Sequence, residues 1–252
     1  MDPVKVAAGG VVAVGIGVGG YGVSTLLAGE PDRVHIKTAG TEGNLSFDFQ
    51  HHFVDASGTE NDKWWDWSFK NRYSGKTDLS SEFGSGVGDG SQLKSKCLAA
   101  YSKEIKTHIH SDTEEADKKK YEKDIWTLCS IEGDKPITIE ETLEKEPSFK
   151  VGATHASKFG GTNKKHVIST QDERNNKFWK IQAQAFFQST NGLGSKATVE
   201  NSEFKSLYAS TEKSKRTSEE LKNACKTRYE AEPEDNKNKE TFRFCSLKGK
   251  QD

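Results

Sequence analysis

The sequence has few apolar residues and very little arginine. Hydrophobic residues make up 32% of the 252 residues and charged residues 30%, whereas ordinary globular domains contain roughly 45–50% and about 25%. Any hydrophobic core must therefore be small for a chain of this length. Only six of the 37 basic residues are arginine, although phosphate-reading proteins usually rely on the bidentate fork of that side chain. The net charge of −1 provides no global positive field, so we expect no nucleic-acid partner.

The sequence also lacks the short motifs that mark common active sites. It contains no P-loop, no nucleophile elbow and no Cys-x-x-Cys pair. The clustered histidines, His51-His52 and His108-x-His110, have no carboxylate or cysteine support at ligand spacing. We therefore expect them in solvated loops and not in a metal site. The prediction is a non-enzymatic protein with no catalytic residues, no metal and no cofactor.

Residues 6–29 form a long stretch without a charged side chain. As a helix rising 1.5 Å per residue it would be long enough to cross a hydrocarbon core of about 30 Å. Its many glycines are tolerated in lipid, where no water competes for the backbone. The stretch predicts an uncleaved signal anchor in a single-pass protein of the cell membrane, with the N-terminus in the cytoplasm and the bulk of the chain extracellular. A signal peptide cleaved near Ala28 and Gly29 is the alternative.

The same stretch contains a second pattern, Gly15-x-Gly17-x-x-Gly20, which is typical of dinucleotide-binding loops. Such a loop should be followed by a second strand that ends in an acidic residue. Residues 34–38 form the candidate strand and end without one. A nucleotide-binding enzyme that uses this segment is therefore kept as the alternative function.

A pattern that contains all four cysteines occurs twice. The copies contain, in the same order, Leu93, Cys97, Tyr101, Trp126 and Cys129, and then Leu221, Cys225, Tyr229, Phe242 and Cys245. The first three residues of each copy lie four apart, which places them on one face of a helix. Residues 125–131 and 241–247 are rich in aromatic and other strand-forming side chains, which predicts short strands.

Further helices are expected near residues 62 and 176, where aromatic residues follow N-cap candidates. In the first of these, Trp64, Trp65 and Trp67 could stack a sugar ring or a base, but their spacing favours a place in the core. We predict an α+β fold with an N-terminal transmembrane helix and two small tandem helix–helix–strand repeats. The expected segments are a signal anchor at 1–30, a spacer at 31–60, a first unit at 61–146, a linker at 147–173 and a second unit at 174–252.

In an oxidising milieu the economical pairing joins Cys97 to Cys129 and Cys225 to Cys245, because each helix would lie against its own strand. Each bond should contribute roughly 3 kcal/mol by the loop-entropy model, which matters when the cores are small. The alternatives are a Cys97–Cys225 bond or four free thiols buried on the apolar helix face. A catalytic thiol is disfavoured because every cysteine has a counterpart in an equivalent place.

Three short segments, Val6–Gly29, Trp126–Ser130 and Lys135–Leu143, together with the excess of lysine over arginine, carry a family resemblance. They resemble the uncharacterised paralogous membrane proteins of haemotrophic mycoplasmas. The resemblance implies a surface protein, attached to the membrane through residues 6–29, that serves host contact or antigenic variation, with a host protein or an antibody as partner. A structural envelope protein is a further alternative. Specificity is expected where the copies differ, chiefly in Gly75–Gly90 and Ser189–Ala197.

Overall fold

The computed structural model describes residues 29–110, 115–189 and 192–251, and its regular structure there is helical. The α-helices are α1 Leu45–Asp48, α2 Asp62–Ser68, α3 Gly90–Tyr101, α4 Ala116–Cys129, α5 Phe159–Thr162, α6 Asn176–Phe186, α7 Glu203–Ala209, α8 Ser218–Glu230 and α9 Asp235–Cys245. Two π-helical turns, Phe69–Tyr73 and Ile105–Ile109, follow α2 and α3. Short 3-10 turns occupy Glu140–Thr142, Pro147–Phe149, Glu173–Asn175, Leu193–Lys196 and Lys213–Lys215.

The expected α+β fold is wrong for this part of the chain. The predicted strands at 125–131 and 241–247 lie mainly in the last turns of α4 and α9, which end at Cys129 and Cys245. Within the described ranges, β-structure is limited to five isolated bridges. The apolar run before each cysteine continues an amphipathic helix that begins in the charged residues upstream. A short apolar run cannot be told from a buried helical segment by its own periodicity.

The expected membrane helix at 6–29 lies outside the described residues, apart from Gly29. Across 29–110, 115–189 and 192–251, no helix has the length and apolar character needed to span a bilayer. The prediction of a single-pass membrane protein is therefore not retained. The predicted helix–helix–strand unit is also wrong, because most residues of its expected strands are helical.

Several helices begin at side chains that cap the backbone. Asp89 accepts a hydrogen bond from the backbone N–H of Gln92 at the start of α3, and Thr217 accepts one from that of Glu220 at the start of α8. Such caps stabilise a helix by about 1 kcal/mol. The turns after α4 and α9 each use a glycine in the left-handed region, Gly133 at φ +82° and Gly249 at φ +63°. A side chain at either position would strain the backbone.

We call residues 29–134 the first half and residues 135–251 the second half, because the same backbone contacts occur in each. The backbone N–H of Val54 donates to the Cys129 carbonyl at 3.1 Å, and that of Ile168 donates to the Cys245 carbonyl at 2.9 Å. Likewise the N–H of Ile131 meets the carbonyl of His52 at 2.8 Å. The backbone N–H of Leu247 donates to the carbonyl of His166 at 2.9 Å.

The matched contacts also involve Val34, which lies in the predicted spacer, and Ile137, which lies near the end of the predicted first unit. The Asn61 side chain both accepts from the backbone N–H of Val34 and donates to its carbonyl. Asn175 makes the same pair of bonds with Ile137. Each asparagine thus binds the first of two short extended segments that lie antiparallel to each other, 34–36 with 53–55 in the first half and 137–139 with 167–169 in the second. We call each such pair the extended strip. These strips contribute buried residues to the core, including Phe53 in the first half.

The two halves share one hydrophobic core. His52 of the first half stacks on Phe178 of the second, with ring centroids 4.6 Å apart. Trp126 meets the same phenylalanine edge-on at 6.2 Å. The Lys177 ammonium donates to the carbonyls of Ile131 at 2.5 Å and Glu132 at 3.1 Å. The halves are therefore packed against each other through the turn that follows α4.

Candidate functional site

A disulfide lies at the centre of each half. The structure joins Cys97 of α3 to Cys129 of α4, and Cys225 of α8 to Cys245 of α9. These are the pairs that the sequence led us to expect, and all four cysteines are fully buried. In the described ranges no cysteine is free. A buried, bonded cysteine has no thiolate with which to act as a nucleophile.

A tyrosine one helical turn after the first cysteine of each half ties the disulfide to the extended strip. The Tyr101 hydroxyl lies 2.8 Å from the Val54 carbonyl and 3.3 Å from that of Cys129. The Tyr229 hydroxyl lies 2.9 Å from the Ile168 carbonyl and 2.7 Å from that of Cys245. Burial raises the pKa of both phenols. They act as hydrogen-bond donors to the backbone.

Each of these tyrosines also lies at the floor of a shallow surface groove. The groove of the first half has a volume of about 270 Å³ and is lined by Ile36, Thr38, Gly40, Thr41, Asn44, Ser46, Asp55, Ser57, Leu98, Tyr101 and Ser102. The groove of the second half has a volume of about 170 Å³ and is lined by Lys145, Glu146, Pro147, Ser148, Phe149, Thr170, Gln171, Lys226, Tyr229 and Glu230. The first groove runs between residues 36–57 and the C-terminal part of α3, and the second runs between residues 145–171 and the C-terminal part of α8.

The walls of the two grooves differ in charge at matching positions. Counting from the tyrosine, Leu98 of α3 corresponds to Lys226 of α8, and Ser102 corresponds to Glu230. Leu98 is 46% exposed, which is unusual for an apolar side chain of this protein. Among the described residues, Asp55 is the one charged residue that lines the first groove, beside hydroxyl groups and the exposed Leu98, whereas ammonium and carboxylate groups both line the second.

A carboxylate lines the groove beside each tyrosine, but Asp55 of the first half and Glu146 of the second do not occupy corresponding positions. In the first half Asp55 accepts from the backbone N–H of Ser57 at 2.7 Å and from its hydroxyl at 2.6 Å. Burial opposes ionisation, but these bonds outweigh it and lower the pKa of Asp55. The second half has Ser169 at the corresponding position, and its hydroxyl donates to Glu146. Burial raises the pKa of Glu146.

The halves carry opposite net charges that the whole-chain balance conceals. Residues 29–134 contain 20 acidic and 14 basic residues, and residues 135–251 contain 16 acidic and 22 basic residues. The net charges are thus −6 and +6. Ion pairs such as Glu42 with Lys250, 2.8 Å apart, connect the two halves at the surface. An exposed pair of this kind contributes little on its own, but the charge difference gives the two grooves unlike surroundings.

Two histidine clusters lie between the halves, and the expectation of solvated loops is wrong for both His52 and His110. His52 is 1% exposed; its Nδ1 bonds to Glu132 and its Nε2 lies 2.9 Å from the amide oxygen of Gln182. His110 is 8% exposed, and its Nδ1 lies 2.7 Å from the Glu122 carboxylate. Its Nε2 lies 2.9 Å from Nδ1 of His166. His108, two residues before His110, is exposed as expected.

The sequence reading missed His166 and Glu122. His52 and His166 occupy corresponding positions, because the backbone carbonyl of each accepts a hydrogen bond from the N–H of the residue two places after the second cysteine of its half. They are separated by the same number of residues as the paired tryptophans Trp65 and Trp179. That matched spacing is a signal in the sequence that could have drawn attention to His166. Nothing in the local sequence singles out Glu122 among the three acidic residues of α4.

The buried tryptophans of α2 do not form a stacking site. Trp64 and Trp65 are 0% and 1% exposed, so neither can stack a sugar ring or a base. The Trp64 indole N–H donates to the Glu30 carboxylate at 2.9 Å, and Arg72 lies over the Trp64 ring. In the part of the chain that the structure describes, no three or more His, Cys, Asp or Glu side chains are grouped so as to hold a metal ion. The glycine pattern Gly15-x-Gly17-x-x-Gly20 lies outside that part.

Comparisons of the chain with known protein families, with curated proteins and with solved structures find no match.

Proposed function

We propose that the protein is a non-enzymatic, disulfide-bonded protein of an extracellular compartment that binds a host protein through its two grooves. The observation that carries this proposal is the contrast within each half between a buried disulfide core and a groove whose lining changes. The core contacts of Tyr101 and Tyr229 match bond for bond. Leu98 and Lys226, which lie within one helical turn of these tyrosines and line the two grooves at corresponding positions, differ in charge.

The disulfides support the extracellular part of the proposal. Disulfides persist in oxidising environments and are rare in the reducing cytosol of most organisms. Both bonds are fully buried and join helices within the shared hydrophobic core. Two bonds of this kind are a large part of the stability of a chain with so little apolar content.

The groove pair supports the binding part. Surface positions that vary on a fixed scaffold are the usual location of recognition residues. The family resemblance of the sequence adds the expectation that the partner is a host protein or an antibody, with antigenic variation as one use of the variable surface. The loops at 75–90 and around 192–197, which differ between the halves, would add to the same variable surface.

The location is tested by trapping thiols in intact cells with a membrane-impermeant maleimide before lysis, then denaturing the protein and weighing it with and without reductant. We expect no label before reduction, two disulfides by mass, and protein recovered outside the unbroken cells. Recovery of four free thiols, or of protein only after cell lysis, would contradict the extracellular assignment.

Binding is tested with the full chain and a pair of exchanged groove residues. Leu98→Lys gives the first groove the side chain of the second, and Lys226→Leu does the reverse. Both positions are at the surface, so folding should be unaffected. We expect at least one exchange to change binding to host cells by about tenfold relative to the wild-type chain. A matched control is Lys237→Leu, which removes a lysine of the second half outside either groove. Equal binding by all four chains would contradict a role for the grooves.

A further inference from the structure

One connection differs in length between the halves, and it forms part of the wall of each groove. Residues 37–44 lead from the extended strip to α1, and residues 140–158 lead from the strip of the second half to α5. The two short helices correspond. The first backbone N–H of α1 donates to a carbonyl just past the end of α3 at 3.2 Å, and that of α5 donates to one just past the end of α8 at 3.0 Å. The connection therefore has nineteen residues in the second half against eight in the first.

The longer connection folds into a turn that places a valine in solvent. The backbone N–H of Ala153 donates to the Lys150 carbonyl at 2.9 Å, and that of His155 closes the base of the turn on the Ser148 carbonyl at 2.8 Å. Val151, at the tip, is 92% exposed. We call residues 148–155 the Val151 turn. Because its backbone is already fixed by these bonds, the turn loses little conformational entropy when it is bound.

The shorter connection leaves the first groove more open. The volume of this groove is about 270 Å³, against about 170 Å³ for the second groove, whose wall includes residues 145–149 of the longer connection. Leu98 lines the first groove and is 46% exposed. Among the residues that the structure describes, Leu98 and Val151 are the two exposed large apolar side chains. One lies in a recess of the first half and the other at the tip of a projection of the second.

Charge favours contact between unlike halves of two copies. The first half carries a net charge of −6 and the second a net charge of +6. Asp55 lines the first groove, and the exposed Lys150 precedes the valine at the tip of the turn. Lys37 and Lys94, on the same side of the first half, each pair with an acidic neighbour, at 2.5 Å and 2.6 Å. Opposite fields steer the two halves together, whereas like halves repel each other.

We propose that the first groove binds the Val151 turn of a second copy of this chain, with Val151 against Leu98 and Lys150 towards Asp55. The contact joins two different surfaces, so copies add head to tail and form short chains or a closed ring. The contact is small, so the association is weak and reversible. This inference is separate from the proposed binding of a host protein because it needs no molecule other than the chain, although the two would compete for the first groove.

Analytical ultracentrifugation of the purified full chain measures the association. We expect the mean mass of the wild type to rise above that of one chain between about 10 μM and about 1 mM protein. Added salt should reduce this rise, because it screens the attraction between the halves. Leu98→Lys, which places a like charge against Lys150, and Val151→Ser, which removes the apolar tip, should each weaken association at least tenfold.

Each variant has a matched control that makes the same kind of change at a neighbouring exposed position. Ala99→Lys adds the same charge to α3 beside the groove, and Thr154→Ser changes another residue of the Val151 turn. Both should associate as the wild type does. Far-ultraviolet circular dichroism and the thermal midpoint check that all four variants are folded.

A mixture of the two weakened variants tests the head-to-tail arrangement itself. Leu98→Lys keeps a working turn, and Val151→Ser keeps a working groove. Neither should associate alone, but together they should form dimers of one copy of each and no larger assembly, because one groove and one turn remain competent. A symmetric dimer, which uses the same surface on both copies, would not be restored by mixing.

The inference is overturned if the wild type stays a monomer up to about 1 mM, if the controls lose association as the variants do, or if the mixture stays monomeric. A wild-type chain that binds host cells but stays a monomer would refute self-association alone. A chain that associates as described but does not bind host cells would refute the proposed function alone.

Discussion

The first and second halves have the same internal hydrogen bonds and different surfaces. The side chain that satisfies the carbonyl before the second cysteine illustrates the internal match. In the first half the Ser68 hydroxyl donates to the Leu128 carbonyl at 2.8 Å, and in the second half the Gln182 amide donates to the Phe244 carbonyl at 2.9 Å. A buried carbonyl without a partner costs about 1–3 kcal/mol. Each half therefore provides a side-chain donor for this carbonyl, although the residue that provides it differs between the halves.

The same pair of residues explains why the corresponding positions 52 and 166 have different contacts. Gln182 is longer than Ser68, and its oxygen also reaches His52 of the other half. Position 52 is consequently part of the contact between the halves, whereas position 166 faces His110. A change that is neutral for the internal scaffold of one half can thus create a new contact outside it. The following predictions, ordered by the size of the expected effect, compare matched positions.

Trp126→Ala should be the most damaging change. Trp126 is 1% exposed and its ring lies 4.8 Å from that of Phe53, with Phe178 on another side. Truncating a buried aromatic residue of this size costs about 3–5 kcal/mol. Phe242, at the corresponding position, is only partly buried, so Phe242→Ala should cost less than half as much. Urea denaturation of both variants measures the difference. Equal losses would show that the two positions do not differ in packing.

Removal of either disulfide should destabilise the chain by roughly 3 kcal/mol. The sequence separations are 32 residues for Cys97–Cys129 and 20 for Cys225–Cys245. The loop-entropy model then makes the first bond the stronger by about 0.4 kcal/mol. Double alanine variants of each pair, unfolded in urea under identical conditions, give both values. A loss confined to one pair would break the equivalence of the halves.

The stability of the first half should fall in acid because of His51. Burial, together with the neighbours His35, His52 and Lys196, lowers the pKa of His51 from 6.5 to about 3. The unfolded chain therefore binds a proton below pH 6.5 that the folded chain refuses, and stability is lost as the pH falls from 6.5 towards 3. At pH 4.5 the loss amounts to about 2–3 kcal/mol.

His51→Gln is the corresponding test. Relative to the wild type, this variant should show a flatter dependence of unfolding free energy on pH between 6.5 and 4.5. The second half carries Lys165 at the matching position, so Lys165→Gln is the control and should leave the slope unchanged. A wild-type slope that persists in His51→Gln would assign the acid sensitivity to another group.

Tyr101→Phe and Tyr229→Phe should have smaller and nearly equal effects. Each removes one buried hydroxyl that lies between two backbone carbonyls. The expected loss is about 1–2 kcal/mol for each variant. Thermal unfolding of the two variants measures it. Values that differ by more than about 1 kcal/mol would indicate that one tyrosine has additional support that the other lacks.

The groove exchanges Leu98→Lys and Lys226→Leu should affect stability least, within about 0.5 kcal/mol, because both positions are at the surface. Their effect is expected in binding and not in unfolding. A stability loss above about 1 kcal/mol in either variant would mean that the groove wall belongs to the scaffold. The distinction between fixed core and variable lining would then fail at that position.

The residues whose burial could be predicted from sequence are those whose spacing places them on one face of a single helix. Leu93, Cys97 and Tyr101, spaced four apart, all lie on the buried side of α3. The strands at 125–131 and 241–247 were wrong because aromatic side chains suit both a strand and a buried helix face. Only the packing of Trp126 against residues distant in the chain separates the two.

The sites that could not be predicted depend on contacts between distant segments. His110 and His166 are 56 residues apart and meet only because the two halves pack together. The first groove is likewise formed by residues 36–57 and α3, which the predicted boundary at residue 61 placed in separate segments. At the 3-10 turn Glu140–Thr142, the Glu141 carboxylate accepts a hydrogen bond from the backbone N–H of Thr138.

The central claim, that each half is an independently cross-linked scaffold, is tested most directly by non-reducing peptide mapping of the protein taken from its native compartment. The account predicts two cross-linked peptides, one that joins Cys97 to Cys129 and one that joins Cys225 to Cys245. A peptide that joins Cys97 to Cys225, or four cysteines recovered as free thiols, would contradict it.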